Sequence, residues 1–324
     1  MSRGFDHQPV MLEEVLALFG GLGEGLLLDA TVGGGGHAAA LLEAHPRLEL
    51  LGLDRDPAAV DAARRRLAPY GHRARVEQGR FDQLIAALHA AGDGRALAGV
   101  LFDLGVSSHQ LDSPERGFSF RHDAPLDMRM DPGSGVAAAE LLNTASEEAL
   151  ATLLAAHGEE RFARRIAAAL VAARPLTTTG ELAVAVASAV PAAARRRGHP
   201  ARRVFQALRA AVNEELEQLG PAIGDAVAAL VPGGRIVVLS YHSGEDRLVK
   251  ARLAELASGG CHCPPGLPCV CGAVGSLRLL TRGARLPSAG EVAANPRAAS
   301  ARLRAAERTG SDGETAGRRP AGGG

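Results

Sequence analysis

The chain has 324 residues, 46% of them apolar, and its 36 basic and 36 acidic residues give a formal net charge of zero. This length suffices for one large or two modest domains with a buried core. Zero net charge argues against gripping nucleic acid through overall charge, although a local basic patch is compatible with it. No segment approaches the roughly 18 consecutive apolar residues of a membrane span, and residues 1–10 lack the apolar region of a signal peptide. We therefore expect a cytoplasmic protein with no membrane partner.

Short apolar runs alternate with helical patterns along the first part of the chain. The patterns predict helices at 57–68 and near 83–91, and a Pro-Gly-Gly turn precedes the last strand. The predicted strands are 25–32, 48–54, 73–78, 98–104 and 235–241. Buried strands that alternate with helices indicate an α/β fold with a parallel, doubly wound sheet and helices on both faces.

A long interval without a strand pattern separates the fourth and fifth strands. It is rich in Ala, Glu and Arg, and its periodicity predicts helices at 138–143, 146–156, 160–174 and 179–189. A single helix over 204–230 would then return the chain to the sheet. We therefore predict a core made of 1–110 and 204–308, an inserted helical domain over 111–203, and a disordered Gly- and Arg-rich tail over 309–324.

A glycine-rich turn follows the first strand. It runs from Asp29 through Gly33–Gly36 to His37 and opens a helix at the carboxyl edge of the sheet, where ligands of open α/β folds bind. Asp54 ends the second strand, where its carboxylate could accept hydrogen bonds from both hydroxyls of a ribose. Together these features predict a site for an adenosine-containing ligand.

Two features of the turn favour S-adenosylmethionine over a nicotinamide dinucleotide. Four consecutive glycines lack the G-x-G-x-x-G spacing of dinucleotide sites. Asp29 precedes the glycines, where a carboxylate could meet a cationic sulfonium or amino group but would repel a pyrophosphate. A nicotinamide-dependent oxidoreductase is the less favoured alternative.

Further polar or aromatic residues end the next two strands. Phe81 follows the third strand and could flank an adenine, or could be ordinary core. Asp103 ends the fourth strand, and a carboxylate at the end of a buried strand is costly unless it is paired or used.

The four cysteines of the chain lie within one short segment, as Cys261, Cys263, Cys269 and Cys271. Because disulfides are rare in cytosolic proteins, a structural zinc site is the first reading, with free thiols as the alternative.

Several segments resemble the ribosomal RNA small subunit methyltransferase H family (RsmH, also called MraW). The resemblance is most specific over 103–112, 116–120 and 124–131. It continues, in order along nearly the whole chain, at 7–12, 29–37, 205–209, 212–213, 233–247 and 295–304. Tyr241 and Gly244 depart from this family, which usually has Phe and Leu there.

The resemblance implies a class I S-adenosylmethionine-dependent methyltransferase fold with an inserted helical domain that recognises the substrate. It implies methyl transfer to N4 of a cytidine in the decoding region of 16S rRNA, with the small ribosomal subunit as partner. The cofactor contacts carried over by motif position are Gly35, Gly36, His37, Asp54, Phe81, Asp103 and Gln110.

Two residues are candidates for the chemistry. Asp103 could accept a hydrogen bond from the reacting amine or could simply hold the cofactor, and His242 could handle a proton. A non-catalytic rRNA-binding assembly factor with a retained cofactor pocket is the alternative function. The oligomeric state is open, with a homodimer among the options.

Contact with rRNA requires local positive charge in a chain of zero net charge. Three arginine clusters are candidates: Arg161, Arg164 and Arg165; Arg195–Arg197 with Arg202 and Arg203; and Arg297, Arg302 and Arg304.

Overall fold

One sheet of seven strands organises the part of the chain that the structure describes. This computed structural model describes residues 9–91, 96–158, 161–195, 199–264 and 270–310, without the side chains of residues 108, 109 and 195. The strands are β1 (Gly25–Asp29), β2 (Leu48–Asp54), β3 (Ala74–Gln78), β4 (Leu97–Asp103), β5 (Leu230–Ser240), β6 (Leu277–Leu279) and β7 (Arg302–Arg308). Their order is β3-β2-β1-β4-β5-β7-β6, with β1–β5 parallel and β7 antiparallel to both of its neighbours.

The helices fall into those that cover the sheet and those of the long interval between β4 and β5. Before and within that interval they are α1 (Leu12–Phe19), α2 (Gly36–Ala44), α3 (Pro57–Leu67), α4 (Leu84–Ala90), α5 (Ser108–Asp112), α6 (Ala138–Thr144), α7 (Glu147–Gly158), α8 (Ala163–Ala172), α9 (Thr179–Ala189) and α10 (Ala192–Arg195). The remainder are α11 (Ala201–Val212), α12 (Glu215–Ala229), α13 (Ser243–Ser258) and α14 (Ala289–Ala294).

The central strands are buried on both faces, which explains why they are apolar without alternation. In β1, Leu26 and Leu28 pack in a cluster with side chains of α4, α12 and α13. Leu27 points to the other face and packs with side chains of α1, α2 and α3. The sheet therefore lies between two helical layers, as predicted.

A separate apolar core lies within the helices of the interval. It includes Leu142, Leu150, Ile166 and Val186, all fully buried. Side chains of α11, among them Leu208, belong to this cluster, so the helical core extends beyond the predicted boundary at 203.

The predicted helix over 204–230 is wrong, because α11 and α12 are separate helices. Glu214 between them has φ of +52°. Asn213 is buried; its Oδ1 accepts a hydrogen bond from Met130 N and its Nδ2 donates to Met128 O, each at 2.8 Å. Through Asn213, the junction between α11 and α12 is therefore hydrogen-bonded to the loop that follows α5.

Strands β6 and β7 are absent from the sequence predictions. In β7 the apolar side chains of Leu303 and Ala305 are buried and those of Arg302 and Arg304 are partly exposed, an alternation of period two that is typical of a strand. None of the described helices is long and apolar enough to cross a membrane.

Candidate active site

A cavity of about 1070 Å³ opens at the carboxyl ends of β1, β2 and β4 and extends under the helical domain. Parallel strands end at one edge of the sheet, which brings together residues that are distant in sequence. The predicted cofactor residues that line this cavity are Gly36, His37, Asp54, Phe81, Asp103 and Gln110, and His242 also lines it.

The glycine turn presents backbone to the cavity. Gly33 has φ of +50° and Gly35, the N-cap of α2, has φ of +76°, conformations that side chains with a Cβ rarely adopt. Gly33 and Gly34 line the cavity, whereas Gly35 does not. A Cβ on Gly35 would lie 3.4 Å from Ala63 Cα, so this glycine allows α2 to pack against α3.

Asp54 braces the turn from the end of β2. Its Oδ2 accepts a hydrogen bond from Gly33 N and its Oδ1 accepts one from Asp56 N, both at 2.9 Å. Burial raises the pKa of Asp54 to about 6. Each carboxylate oxygen keeps a lone pair for a second donor, as the hydroxyls of a ribose would require.

Asp103 is held from two sides at the end of β4. The hydroxyl of Tyr241 donates to its Oδ1 at 2.7 Å, and His37 Nδ1 lies 3.4 Å from its Oδ2. His37 Nε2 donates to Val10 O at 3.0 Å, which fixes the ring. Burial opposes the charged form of His37, but Asp103 outweighs it, and the pKa of His37 is raised. The carboxylate of Asp103 is 26% exposed and faces the cavity.

Asp29 does not take the role expected from the sequence. Its side chain is buried, its Oδ1 accepts a hydrogen bond from Thr31 N, and it does not line the cavity. Burial raises its pKa to about 7 although His37 lies near. Of the acidic residues that end β1, β2 and β4, Asp54 and Asp103 therefore line the cavity and Asp29 does not.

Gln110 and Asp56 link the loop after β2 to the loop after β4. Gln110 Nε2 donates to Asp56 Oδ2 at 2.8 Å, and its Oε1 accepts from Ser107 N in the capping box of α5. Arg116 donates to the same Asp56 oxygen at 3.0 Å and to Met130 O. Gln110 thus lines the cavity with an amide already engaged within the protein.

Phe81 contributes to both the cavity and the core. It lines the cavity and makes an edge-to-face contact with Phe102 at a centroid distance of 6.0 Å. Phe81 therefore packs in the core and also lines the cavity, and its contact with an adenine stays a prediction.

His242 caps a helix. Its Nδ1 accepts a hydrogen bond from Glu245 N at 3.3 Å, so it serves as the N-cap of α13. Its Nε2 lies 2.9 Å from Glu245 Oε1. Burial would raise the pKa of Glu245, but His242 and Arg209 hold it below the usual range.

The geometry and the segment order agree with a known family. A model of the MraW methylase family matches residues 4–309. The chain belongs to this family. It is 50% identical to the ribosomal RNA small subunit methyltransferase H of Heliobacterium modesticaldum, over 94% of this chain and 99% of that protein. Identity to the protein of the same name from Thermobifida fusca is 53%, over 94% and 93% of the two chains.

Solved methyltransferase structures also align with this chain. An rRNA methylase from Streptococcus thermophilus covers 92% of this chain and 95% of its own, with 11% identity and a TM-score of 0.42. The N-methyltransferase NodS from Bradyrhizobium japonicum covers 92% and 94%, with 10% identity and a TM-score of 0.41. Family membership and the strand order with its antiparallel β7 confirm the predicted fold class: the chain has a class I methyltransferase fold with a helical insertion.

Three of the four cysteines of this MraW methylase lie together. The Sγ atoms of Cys261, Cys263 and Cys271 are all within 4.8 Å of one another, and those of Cys261 and Cys271 are 3.6 Å apart. Hydrogen bonds from the backbone, first that of Val270, lower the pKa of Cys263. Cys269 lies outside the described residues.

The arginines of the third predicted RNA patch differ in their contacts. Arg304 makes a largely buried ion pair with Asp246 (Nε–Oδ1 2.7 Å), and Arg297 pairs with Asp112 at 2.8 Å. Arg304 is therefore engaged within the protein, and its contact with rRNA stays a prediction. Arg161, Arg164 and Arg165 are exposed, and the side chains of Arg195–Arg197 lie outside the described residues, as does the predicted tail beyond residue 310.

Sequence reasoning missed two residues of the site. Tyr241 was noted as a departure from the family pattern, without a role, and it proves to contact Asp103. Arg116 begins the segment 116–120 that resembles the family, and its partner Asp56 lies two residues after Asp54. The only sequence signal for Tyr241 was its position beside the end of β5, and the only one for Arg116 was its place in a segment that resembles the family.

Proposed function

We propose that this protein is an S-adenosylmethionine-dependent methyltransferase that modifies N4 of a cytidine in the decoding region of 16S rRNA, within the small ribosomal subunit. One observation carries the chemical part of the proposal. The Asp103 carboxylate faces the cavity at the same sheet edge as the glycine turn and Asp54, and it is oriented by Tyr241 and His37. The names of the relatives at about half identity support the rRNA substrate.

The lining residues fit S-adenosylmethionine. Gly33 and Gly34 allow close approach of a ligand to the backbone, Asp54 would accept the ribose hydroxyls, and Phe81 would flank the adenine. The carboxylates of Asp54 and Asp103 line the cavity beside the glycine turn, and they suit a ligand that carries a sulfonium and an amino group. When bound, this cofactor supplies an electrophilic methyl group.

The protein has three tasks in the reaction. Cytosine N4 is a weak nucleophile because its lone pair is delocalised into the ring, and it gains positive charge as it attacks. Asp103 would accept a hydrogen bond from an N4 hydrogen, which localises the lone pair and stabilises the developing charge. The cavity would also align the amine with the methyl group and exclude water from it.

His242 is the second candidate for proton handling. It lines the cavity, but its Nδ1 caps α13 and its Nε2 lies against Glu245. These contacts favour a positioning role for His242, and Asp103 is the residue that we propose for contact with the amine.

The proposal is tested by mass mapping of methylated nucleosides. Small ribosomal subunits that lack the modification are incubated with the protein and S-adenosylmethionine, and 16S rRNA fragments are then analysed. We expect N4-methylcytidine in the decoding region. A methyl group on another atom or in another region would contradict the proposed specificity. No methyl transfer at all would favour the non-catalytic assembly factor.

We also propose that the cysteine cluster binds a structural zinc ion. Tetrahedral zinc with Zn–S bonds of about 2.3 Å places its sulfur ligands roughly 3.8 Å apart, close to the observed 3.6 Å between Cys261 and Cys271. Cys269 would be the fourth ligand.

Metal analysis of protein purified without added zinc tests this proposal. We expect about one zinc ion per chain and a strongly reduced content in Cys261→Ser, because a tetrahedral site loses one of its thiolates. His262→Ala is the matched control, since His262 lies between two of the cysteines but is not part of the sulfur cluster. Metal-free protein with reactive thiols would reject the site.

The cytoplasmic location and the homodimer stay predictions.

A further inference from the structure

A second cavity, of about 520 Å³, lies beside the active site where the helical domain meets the sheet. The helical domain contributes the end of α7 and part of α11. The core contributes the junction of β5 with α13 and the segment that leads into β7. Gln206, Tyr241, His242, Ala299 and Ser300 line both cavities, so the second is an extension of the active site.

The described ionisable residues that line this second cavity are mainly basic, and none of them is acidic. Arg203 and Arg302 line it, together with His157 and His242, and none of its described lining residues is Asp or Glu. The whole chain has equal numbers of acidic and basic residues, so a cavity lining without a carboxylate differs from the charge balance of the chain as a whole. Two carboxylates that do not line the cavity contact its histidines: Glu217 Oε1 lies 3.5 Å from His157 Nε2, and Glu245 Oε1 lies 2.9 Å from His242 Nε2.

Arg203 and Arg302 also differ from neighbouring arginines in their contacts. Within the described part of the chain, neither makes an ion pair or a side-chain hydrogen bond. By contrast, Arg297 pairs with Asp112 and Arg304 with Asp246. Arg297 and Arg304, which are near Arg302 in the sequence, are therefore neutralised, whereas the guanidinium groups of Arg203 and Arg302 have no acidic partner among the described residues.

The two arginines belong to different structural units. Arg203 lies on α11, which packs in the helical core, and Arg302 is the first residue of β7 in the sheet. An anion bound by both would fix the helical domain relative to the active site. The planar guanidinium group suits the oxygens of a phosphate, which it can bind through two parallel hydrogen bonds.

We propose that this second cavity is a phosphate cleft that binds the sugar-phosphate backbone of the RNA strand next to the target nucleotide. The inference rests on the proposed function for its substrate class. Because the cleft is continuous with the cavity that holds Asp103, a strand whose target base enters the active site would place an adjacent phosphodiester between Arg203 and Arg302. Such contacts set the position of the strand and are independent of its sequence.

Binding of a fluorescently labelled, short single-stranded RNA at several salt concentrations tests the cleft. The variants are Arg203→Gln and Arg302→Gln, which keep a polar side chain and remove the charge. Arg47→Gln is the matched control, because Arg47 is exposed, lies before β2 at the amino edge of the sheet, and lines neither cavity. Thermal unfolding checks that each variant is folded, and calorimetry with S-adenosylmethionine monitors the neighbouring site.

We expect each cleft variant to weaken RNA binding and to reduce the slope of log affinity against log salt by about 0.7, the value for one phosphate contact of a single strand. Arg47→Gln should leave both quantities unchanged, and cofactor affinity should be unchanged in all three. Equal effects of the three substitutions, or no change of slope in the cleft variants, would overturn the proposal. The outcome is separate from methyl transfer: a protein that fails to methylate 16S rRNA but shows these slopes would keep the cleft and lose the proposed function.

Discussion

Replacing Asp103 with Asn should slow methyl transfer about 100-fold, while the affinity for S-adenosylmethionine changes little. Asn has the size of Asp and keeps one oxygen to accept the Tyr241 hydroxyl, so the geometry at the end of β4 should persist. The variant loses the negative charge that would stabilise the amine as it becomes positive. Single-turnover kinetics with small subunits gives the rate, and calorimetry gives the cofactor affinity.

Two tyrosine variants separate the effect of the Asp103 carboxylate from that of the hydrogen bond that orients it. Tyr241→Phe leaves the charge of Asp103 but removes the hydrogen bond that orients it, so we expect a smaller loss, about 10-fold. Tyr70→Phe also removes one hydroxyl, which donates to Ala39 O at 3.0 Å away from the cavity, and it should react at the normal rate. Equal losses of rate and of cofactor affinity in Asp103→Asn would assign Asp103 to cofactor holding alone.

Replacing Arg209 with Met should destabilise the protein by about 3–5 kcal/mol, the usual cost of removing one partner from a buried ion pair. Arg209 donates to both oxygens of Glu215 at 2.9 Å, and its Nη2 lies 3.7 Å from Glu245 Oε1. All three side chains are at least 88% buried. The variant would leave two carboxylates in the interior beside an apolar side chain. Equilibrium unfolding in denaturant measures the change.

Arg278→Met is the matched control for Arg209→Met. Arg278 is 62% exposed and pairs with Glu307, which keeps Arg235 as a second partner, so the loss should be about 0–1 kcal/mol. The pKa of Glu245 is held low in the folded protein, so its ion pairs add stability above its unfolded pKa, and this stability is lost as pH falls. The deficit of Arg209→Met should therefore be full at neutral pH and narrow only as pH falls below about 4.3, the unfolded pKa of a glutamate, toward the lower pKa of the folded protein. A loss of stability in Arg209→Met no larger than that in Arg278→Met would show that the buried ion pairs of Arg209 contribute nothing.

Local patterns were sufficient for the central sheet and its cofactor edge. Continuous apolar runs such as β1 and β4 predict strands buried on both faces, and their parallel order places the strand ends together. For that reason Asp54 and Asp103 could be assigned to one site, and both line the same cavity. The length and order of the motif segments likewise indicated the MraW family.

The contacts that give these residues their properties depend on strand pairing over long distances in the chain. Asp103 pairs with Leu239 in the register of β4 and β5, which brings Tyr241 to a carboxylate 138 positions away. No local pattern contains this register. The same holds for His37, whose position against Asp103 depends on how α2 packs on the sheet.

The sequence by itself determined the fold class, the family and the placement of Asp54 and Asp103 at the carboxyl edge, because each of these depends on local periodicity or on motif order. Only the tertiary structure decided which charged side chains are buried or paired within the protein and which can contact a ligand. It buried Asp29, paired Arg304 with Asp246, and left Arg203 and Arg302 without a partner among the described residues. A carboxylate or guanidinium has the same appearance in a sequence whether it is neutralised or free, and its neighbours in space decide between the two.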